Sequence, residues 1–122
     1  MKFENLKVWK RATSLSATIY IHLRDLRDYG FRDQITRSGL SVPSNIAEGF
    51  ERASHKEFMV FLNYARGSCG ELRTQIYIGV EIGYISRELG ELWIQETKEI
   101  SAMITGLLKT RQKFLKSQAS NA

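Results

Sequence analysis

Few side chains in this sequence combine a reactive group with a neighbour at a spacing that supports catalysis. His22 and His55 are far apart, and neither has a second metal ligand at a recognised zinc spacing. Cys69, the single cysteine, lies in an apolar run at helical spacing, which is typical of a buried structural thiol. No E-x-x-H pair, glycine-rich phosphate loop or G-x-S-x-G turn is present. We therefore predict that the protein is not an enzyme and has no catalytic residue, metal or cofactor.

The second kind of chemistry that the sequence could support is the binding of phosphate groups. The chain has 18 basic and 13 acidic residues and a formal net charge of +5. Basic residues concentrate near both termini, and such a cluster can hold phosphates because counterions are released. The alternative stays open that these residues only complement helix dipoles and keep the protein in solution. The predicted phosphate contacts are Lys2, Lys7, Lys10, Arg11, Lys109, Arg111, Lys113 and Lys116.

A polar segment, S-V-P-S-N-I-A-E-G, interrupts the apolar pattern at residues 41–49. Asn45 and Glu48 would be costly to bury without hydrogen-bond partners, and Glu71 and Gln75 on the following helix are available as partners. One interpretation is a polar site for a ligand. The interpretation that we favour is a hydrogen-bonded seam that sets helix register or a subunit contact. The residues assigned to this structural or interface motif are Pro43, Asn45, Glu48, Glu71 and Gln75.

The elements that would position these residues are four helices. Apolar residues recur three or four residues apart over most of the chain, which is the spacing of one helical face. A chain of 122 residues has the usual size of one domain, and short connections make consecutive helices antiparallel neighbours. The sequence therefore predicts an all-α, up-down-up-down antiparallel four-helix bundle. The expected helices are at about residues 5–28, 31–50, 54–84 and 86–116, followed by a disordered tail at 117–122.

Local signals predict where these helices begin and end. Tyr29-Gly30 is expected to end the first helix, with the glycine in the left-handed conformation. Pro43 is expected to kink the second helix near Gly39, with two short helices as the alternative. Ser54 and Glu57 form a capping box at the start of the third helix.

Glycines and stray apolar residues indicate further contacts. A glycine inside a helix costs up to ~1 kcal/mol relative to alanine, so we expect another helix to approach closely at Gly67, Gly70 and Gly79. In the fourth helix the expected core face includes Leu89 and Leu92. Some apolar residues fall off the predicted core faces and are candidates for subunit contacts. They are Val8, Ile21, Ile78, Trp93 and Ile104.

The predicted topology separates the charges along the bundle. It brings residues 2–11, with four basic residues and one acidic, to the same end as residues 109–116, with four basic residues and no acidic one. The segment 81–99 carries five glutamates against two basic residues and is expected at the opposite end. A second basic patch at that opposite end is predicted from Arg24, Arg27, Arg32 and Arg37.

The N-terminal sequence M-K-F-E-N-L-K-V-W-K carries charges where a signal peptide has an apolar run. No stretch approaches the ~20 apolar residues of a membrane span. One cysteine cannot form an internal disulfide, which fits a reducing compartment. We expect a cytoplasmic protein that has no membrane partner.

Several motifs resemble one known family. They are R-D-Q-I-T-R-S-G-L-S-V-P-S-N-I-A-E-G-F at residues 32–50, K-E-F-M-V-F-L-N-Y-A-R-G-S at residues 56–68 and E-L-R-T-Q at residues 71–75. The opening L-K-V-W-K and the G-Y-I-S before the fourth helix follow the same pattern. Over about residues 5–115 the chain resembles the four-helix-bundle proteins encoded in 23S ribosomal RNA intervening sequences. Gly39 stands where that family usually has alanine.

This resemblance implies a bacterial cytoplasmic protein that assembles into a ring-like homopentamer. It also implies kinship with the accessory proteins of diversity-generating retroelements, which share the bundle and bind nucleic acid through a basic surface. The family has no agreed enzymatic activity, and the motif residues at positions 43, 45, 48, 71 and 75 carry over as structural or interface residues.

One functional hypothesis and one alternative follow. The first is a non-catalytic homo-oligomer that serves as an adaptor for structured RNA or DNA, together with a protein encoded nearby. The alternative is a purely structural or protein–protein interaction module with no nucleic-acid role.

Overall fold

The computed structural model describes residues 1–120, which contain four α-helices after a single 3-10 turn at Phe3–Asn5. The helices are α1 (Lys7–Leu23), α2 (Tyr29–Phe50), α3 (His55–Glu81) and α4 (Arg87–Ser120). Both α1 and α3 pack against α2 and α4, so the four helices close around a shared core. The predicted all-α, up-down-up-down antiparallel four-helix bundle is confirmed. No helix within residues 1–120 is long and apolar enough to cross a membrane.

The core of the described residues is one cluster of apolar side chains from all four helices. Each large side chain that is fully buried contributes about 1.5–3 kcal/mol to folding. This packing, rather than local helix propensity, therefore accounts for most of the stability of the long helices. The side chains with no solvent exposure include Ile19, Ile35, Ile46, Leu62, Ile76 and Ile104.

The inward face of α4 differs from the predicted face. Trp93 and Ile104, which were predicted to lie outside the core, are buried, whereas Leu92 is 68% exposed. Thr97 explains the difference, because it is fully buried in the inward stripe and its hydroxyl group has hydrogen-bond partners inside the fold. Because the inward stripe of α4 contains this polar residue, the neighbouring stripe that includes Leu89 and Leu92 is the more apolar of the two in sequence and was predicted to be the core face.

Two of the candidate subunit-contact residues do lie on the surface. Ile21 and Ile78 are both exposed, whereas Val8 is buried in the core. The prediction of an outward position was thus wrong for Val8, as it was for the two residues on α4. Val8 belongs to the regular buried stripe of α1, which continues through Ala12, Leu15, Ile19 and Leu23 at spacings of three and four residues.

The connection between α1 and α2 begins earlier than predicted. The first helix ends at Leu23, and Tyr29-Gly30 begins α2 instead of ending α1. Asp28 is the reason, because its carboxylate accepts a hydrogen bond from the Phe31 N–H at 3.1 Å and so caps the start of α2. The cap at Asp28 therefore sets the start of α2, and Gly30 lies inside that helix.

The second helix runs through Pro43 as one helix rather than two short ones. Proline has no N–H, so the carbonyl group of Gly39 loses the donor that would normally lie four residues later. A Cβ atom at Gly39 would lie 3.8 Å from the Ser16 Cα, an ordinary contact distance, so an alanine would fit here.

The glycines of α3 do not share one role. A Cβ at Gly79 would lie only 2.5 Å from the Ile85 Cδ1, so this glycine permits a close approach, as predicted. Gly67 and Gly70 have open space at the Cβ position among the described residues. The predicted close approach of another helix is therefore wrong at these two positions.

We call the end of the bundle formed by the α1–α2 and α3–α4 connections the turn end. Gly83 adopts a φ of +81° there, a left-handed conformation that glycine tolerates best. The Tyr84 N–H donates to the Gly79 carbonyl at 2.8 Å, and the Tyr84 hydroxyl donates to Asp28 at 2.8 Å. Ser86 then caps α4 by accepting from the Leu89 N–H.

The opposite end, which we call the basic end, is formed by the N-terminus, the α2–α3 connection and the last turns of α4. Ser54 caps α3 there by accepting from the Glu57 N–H at 3.1 Å, as the capping box predicted. With 34 residues, α4 is about 51 Å long, against about 40 Å for the 27 residues of α3. Residues 117–120 of the predicted disordered tail are helical, and residues 121–122 lie outside the described residues.

Candidate nucleic-acid interface

The basic end collects most of the unbalanced positive charge of the molecule. The four helices and the N-terminus place nine basic and four acidic side chains at this end. The excess of five positive charges equals the formal net charge of +5 for the whole chain. The basic residues are Lys2, Lys7, Lys10, Arg52, Lys56, Lys109, Arg111, Lys113 and Lys116. The acidic residues are Glu4, Glu48, Glu51 and Glu57.

Six of the eight predicted phosphate contacts are lysines with free ammonium groups. Each is exposed and makes no ion pair or side-chain hydrogen bond within residues 1–120. Lys109, Lys113 and Lys116 follow one another at four and three residues, which places them on the same outward face of α4. We call the set of six the lysine cluster, and its members are Lys2, Lys7, Lys10, Lys109, Lys113 and Lys116.

Arg11 is a correction to the predicted set. Its Nε donates to Glu96 at 2.9 Å, and its Nη2 donates to Glu99 at 2.8 Å and again to Glu96. Hydrogen bonds to the two carboxylates raise the pKa of Arg11, and those from Arg11 and Gln95 lower the pKa of Glu99. The guanidinium is therefore neutralised inside the protein and is not a free phosphate contact.

The same ion pair corrects the predicted separation of charge. Glu96 and Glu99 belong to the acidic segment 81–99 that was expected at the turn end, yet they meet Arg11 along the side of the bundle. Because α4 is so long, its tenth to thirteenth residues are already beside the first turns of α1. The acidic residues of the turn end are therefore fewer than the sequence count suggested.

Arg111 is partly buried and anchors the end of α4 to the start of α3. Its Nη1 lies 3.0 Å from the His55 Nδ1, and its guanidinium lies 5.0 Å from the centroid of the Phe58 ring. The Phe114 ring packs against His55 with centroids 4.3 Å apart. The Nε of Arg111 is buried and has no hydrogen-bond partner within residues 1–120. Arg111 thus positions the lysines of α4 and borders a cleft of about 190 Å³ beside the α2–α3 connection.

The polar motif on α2 forms a link to α3, but not with the predicted partners. Asn45 donates to the Ser41 carbonyl and to the Ser41 hydroxyl, both at 2.9 Å, and that hydroxyl lies 2.9 Å from the hydroxyl of Ser68 on α3. Gln75, which the sequence made available as a partner, does not take that role, because its Oε1 is buried without a partner within residues 1–120.

The charged and proline members of the motif take separate positions. Glu48 pairs with Arg52 at 2.8 Å one turn later, and Glu71 is exposed on α3, so neither glutamate links the two helices. Pro43 is buried in the interior of α2. Serine hydroxyl groups reach across the α2–α3 seam because the backbones are close there, whereas Glu48 points to solvent.

A second polar seam, between α3 and α4, was not predicted from the sequence. Arg73 donates to the Thr97 hydroxyl at 2.9 Å, to the Thr97 carbonyl at 3.2 Å and to the Ser101 hydroxyl at 3.0 Å. The Cys69 thiol donates to the Thr97 carbonyl at 3.2 Å, and burial raises its pKa. These contacts support the prediction of a buried structural thiol. Within residues 1–120 no group of three or more metal-ligating side chains is found.

The predicted arginine patch at the turn end is formed in part. Arg24, Arg32 and Arg37 border a groove between α1 and α2 with a volume of about 380 Å³, whereas Arg27 does not line it. Tyr20 and Leu40, which the sequence prediction did not include, also line this groove. Only the packing of α1 on α2 brings Tyr20 to the arginines of α2.

Comparisons with known proteins agree with the resemblance found in the sequence. A family model described as 23S rRNA-intervening sequence protein matches residues 4–106. The chain is also similar to the crystal structure of a protein of unknown function from the S23 ribosomal protein family of Bacteroides thetaiotaomicron. The two are 25% identical, with a TM-score of 0.78 over 84% of this chain and 98% of that chain. No curated protein matches the chain significantly.

Proposed function

This chain belongs to the family of 23S rRNA-intervening sequence proteins, and from that premise we propose that it is a non-catalytic, homo-oligomeric protein that binds structured RNA or DNA through its basic end. The observation that carries the proposal is the lysine cluster. Six ammonium groups from both ends of the chain meet at one end of the bundle, and none is neutralised by a carboxylate within residues 1–120.

The form of the lysine cluster suits phosphate groups of a folded nucleic acid. Lysine ammonium groups on flexible stems bind phosphate as point charges and do not read base edges. The three lysines of α4 follow the helix axis at intervals of about 6 and 4.5 Å, so they form a row of positive charge along which a phosphate backbone can lie. The proposed contact is therefore with backbone phosphates and has little sequence preference.

The proposed assembly is a homopentamer, as the family resemblance implies. The outward face of α3 supports self-association, because it exposes the apolar side chains of Val60, Tyr64 and Ile78 along one stripe. In a ring, each copy would add one lysine cluster, and the clusters would act together on one nucleic acid. A partner protein encoded nearby would then be brought to the same nucleic acid.

The decisive measurement is the salt dependence of binding to a labelled RNA hairpin and a labelled DNA duplex. Six phosphate contacts predict that affinity for the duplex falls roughly a thousandfold between about 50 and 200 mM salt. The double variant Lys113→Gln with Lys116→Gln removes two contacts and should lower the slope of log affinity against log salt by about a third.

The matched control is Arg87→Gln with Lys98→Gln, which removes the same charge from exposed positions outside the basic end. This control should retain the slope of the unchanged protein. Equal slopes for both double variants would show that only net charge matters and would overturn the proposed interface. The mass of the protein in the same buffers should correspond to an oligomer, and a monomer at micromolar concentration would contradict the proposed assembly.

A purely structural or protein-interaction role is the second candidate, and the apolar stripe on α3 is the observation that favours it. Under this alternative the protein forms the same oligomer but does not bind RNA or DNA at low salt. Substitution of Tyr64 by aspartate would dissociate the oligomer under either proposal, whereas under the alternative the lysine variants would have no measurable effect on any partner.

A further inference from the structure

A groove lies between α1 and α2 near the turn end. Its volume of about 380 Å³ lies within the range of roughly 300–1,000 Å³ that is usual for small-molecule sites. One of its lining residues comes from α1, one from the residue that directly follows α1, and five from α2. They are Tyr20, Arg24, Arg32, Asp33, Thr36, Arg37 and Leu40.

The arginines of the groove differ in how far the fold already uses them. The Arg32 Nη1 donates to the Arg24 carbonyl at 3.3 Å, so it satisfies an acceptor at the end of α1. The Arg32 guanidinium also lies 4.7 Å from the centroid of the Tyr29 ring and 3.5 Å from Asp33. The side chains of Arg24 and Arg37 are exposed and have no ion pair or hydrogen bond within residues 1–120.

The same groove also presents an apolar surface. Tyr20 is 44% exposed and Leu40 is 49% exposed, although both line a concave surface. The Tyr20 hydroxyl makes no hydrogen bond in the part of the chain that the structure describes. The groove therefore combines a flat aromatic ring, an aliphatic side chain and two unpaired cations, with one acidic residue that Arg32 neutralises.

We propose that this groove binds one nucleotide of a single-stranded nucleic acid, with the base against Tyr20 and Leu40 and the flanking phosphates against Arg24 and Arg37. Aromatic stacking combined with cationic phosphate contacts is the usual mode of single-strand binding. An acidic peptide would use the two arginines but would leave the exposed Tyr20 and Leu40 without a role.

This inference rests on the proposed function and deepens it, because it adds a single-strand contact at the end opposite the lysine cluster. The two sites would engage different parts of one folded RNA, a helical stem at the basic end and an unpaired segment at the groove. Along α1, Tyr20 lies about 15–20 Å from Lys10 and Lys7, so one folded RNA can reach both contacts.

The test measures binding of a labelled RNA decamer without secondary structure, beside the RNA hairpin used for the basic end. Arg24→Gln with Arg37→Gln should weaken binding of the decamer about tenfold or more and lower its salt slope by about 1.4, as two single-strand phosphate contacts predict. The control double variant at Arg87 and Lys98 removes equal charge outside the groove and should bind the decamer as the unchanged protein does.

The stacking contact has its own test. Tyr20→Ala should weaken binding of the decamer about tenfold, but it should not weaken binding of an abasic decamer with the same phosphates. Tyr20→Phe should retain binding of the base-bearing decamer. Because the three substituted side chains are exposed, thermal unfolding of each variant should match that of the unchanged protein.

The outcomes separate this inference from the proposed function. Loss of decamer binding in the groove variants, with hairpin binding retained, supports the groove. Equal decamer binding by the groove variant and its control, or an equal effect of Tyr20→Ala on both decamers, overturns the groove while the lysine cluster stands. A hairpin that fails to bind, beside a decamer that binds through the groove, overturns the lysine cluster alone. Binding of a poly-glutamate peptide in preference to the decamer overturns the nucleotide assignment.

Discussion

The connections at the turn end and the lysine cluster at the basic end of this bundle are built in opposite ways. At the turn end, side chains and backbone groups are engaged with one another, as in the hydrogen bond from Tyr84 to Asp28 and the packing of Ile85 on Gly79. At the basic end, the lysine cluster extends into solvent without partners within residues 1–120. Contacts therefore fix the residue types in the turn-end connections, whereas only charge constrains the six lysines.

Arg11 shows that a basic residue near the N-terminus can also be engaged by contacts within the fold. It follows Lys10 directly in the sequence, yet Arg11 is held by two carboxylates and Lys10 is free. The contacts available to a cation, and not the local density of positive charge, decide whether it stabilises the fold or is available to a ligand.

The largest expected effect separates structural from open positions on a single helix. Gly79→Ala should reduce the free energy of unfolding by about 1–2 kcal/mol. The new Cβ would lie 2.5 Å from Ile85 Cδ1 and 3.1 Å from the Phe31 ring in a packed region, and this cost exceeds the gain from replacing a helical glycine. Gly67→Ala is the control on the same helix and should stabilise the protein by up to ~1 kcal/mol. Chemical denaturation measures both, and equal effects would contradict the close packing at the turn end.

A pair of neighbouring substitutions should divide stability from binding. Arg11→Gln should lower the free energy of unfolding by about 1 kcal/mol, because Glu96 and Glu99 would face each other without their counterion. It should leave the salt slope of nucleic-acid binding unchanged. Lys10→Gln should leave stability unchanged and lower the slope by about 1. Should the two variants behave alike in both assays, the distinction between engaged and free cations would be wrong.

The smallest expected effect concerns the hydrogen bond between Tyr84 and Asp28 at the turn end. The Phe31 N–H and then the Tyr84 hydroxyl lower the pKa of Asp28, so its stabilising contribution is complete above the unfolded pKa of about 4 and is lost as pH falls through the lower folded pKa. Asp28 raises the pKa of Tyr84, so that contribution is complete below the unfolded pKa of about 10 and is lost as pH rises through the higher folded pKa.

Tyr84→Phe should therefore be less stable than the unchanged protein between about pH 4 and pH 10, and the difference should shrink on either side of that window. Thermal unfolding across this pH range measures the difference. Tyr29→Phe is the control, because the Tyr29 hydroxyl is exposed and makes no hydrogen bond within residues 1–120. A difference that does not vary with pH would show that the hydroxyl contributes through packing instead.

The sequence predicted those parts of the fold that depend on short-range pattern. Ser54 caps α3 as predicted, and the helical order follows from apolar spacing and short connections. The position of the lysine cluster also follows from the sequence, because topology alone brings the two termini to one end. Whether these lysines bind nucleic acid remains a prediction that the experiments above address.

Other features depend on contacts between distant residues and could not be predicted from local pattern. Arg11 binds Glu96, which lies 85 positions away in the sequence, and a count of charges by segment cannot predict such a pair. The core face of α4 was misplaced because Thr97 is buried through its contacts with Arg73 on another helix. The α1–α2 groove required Tyr20 to meet arginines on the next helix, which only the helix crossing determines.

The buried thiol of Cys69 gives the protein a natural reporter of its own opening. Cys69 is the single cysteine, it has no solvent exposure and its thiol donates to the Thr97 carbonyl in the middle of the α3–α4 seam. An alkylating reagent needs an accessible thiolate, so it can react only with molecules in which α3 and α4 have separated. The rate of alkylation would therefore measure how often this seam opens in the unmodified chain, and a bound nucleic acid that stabilises the bundle would slow the reaction.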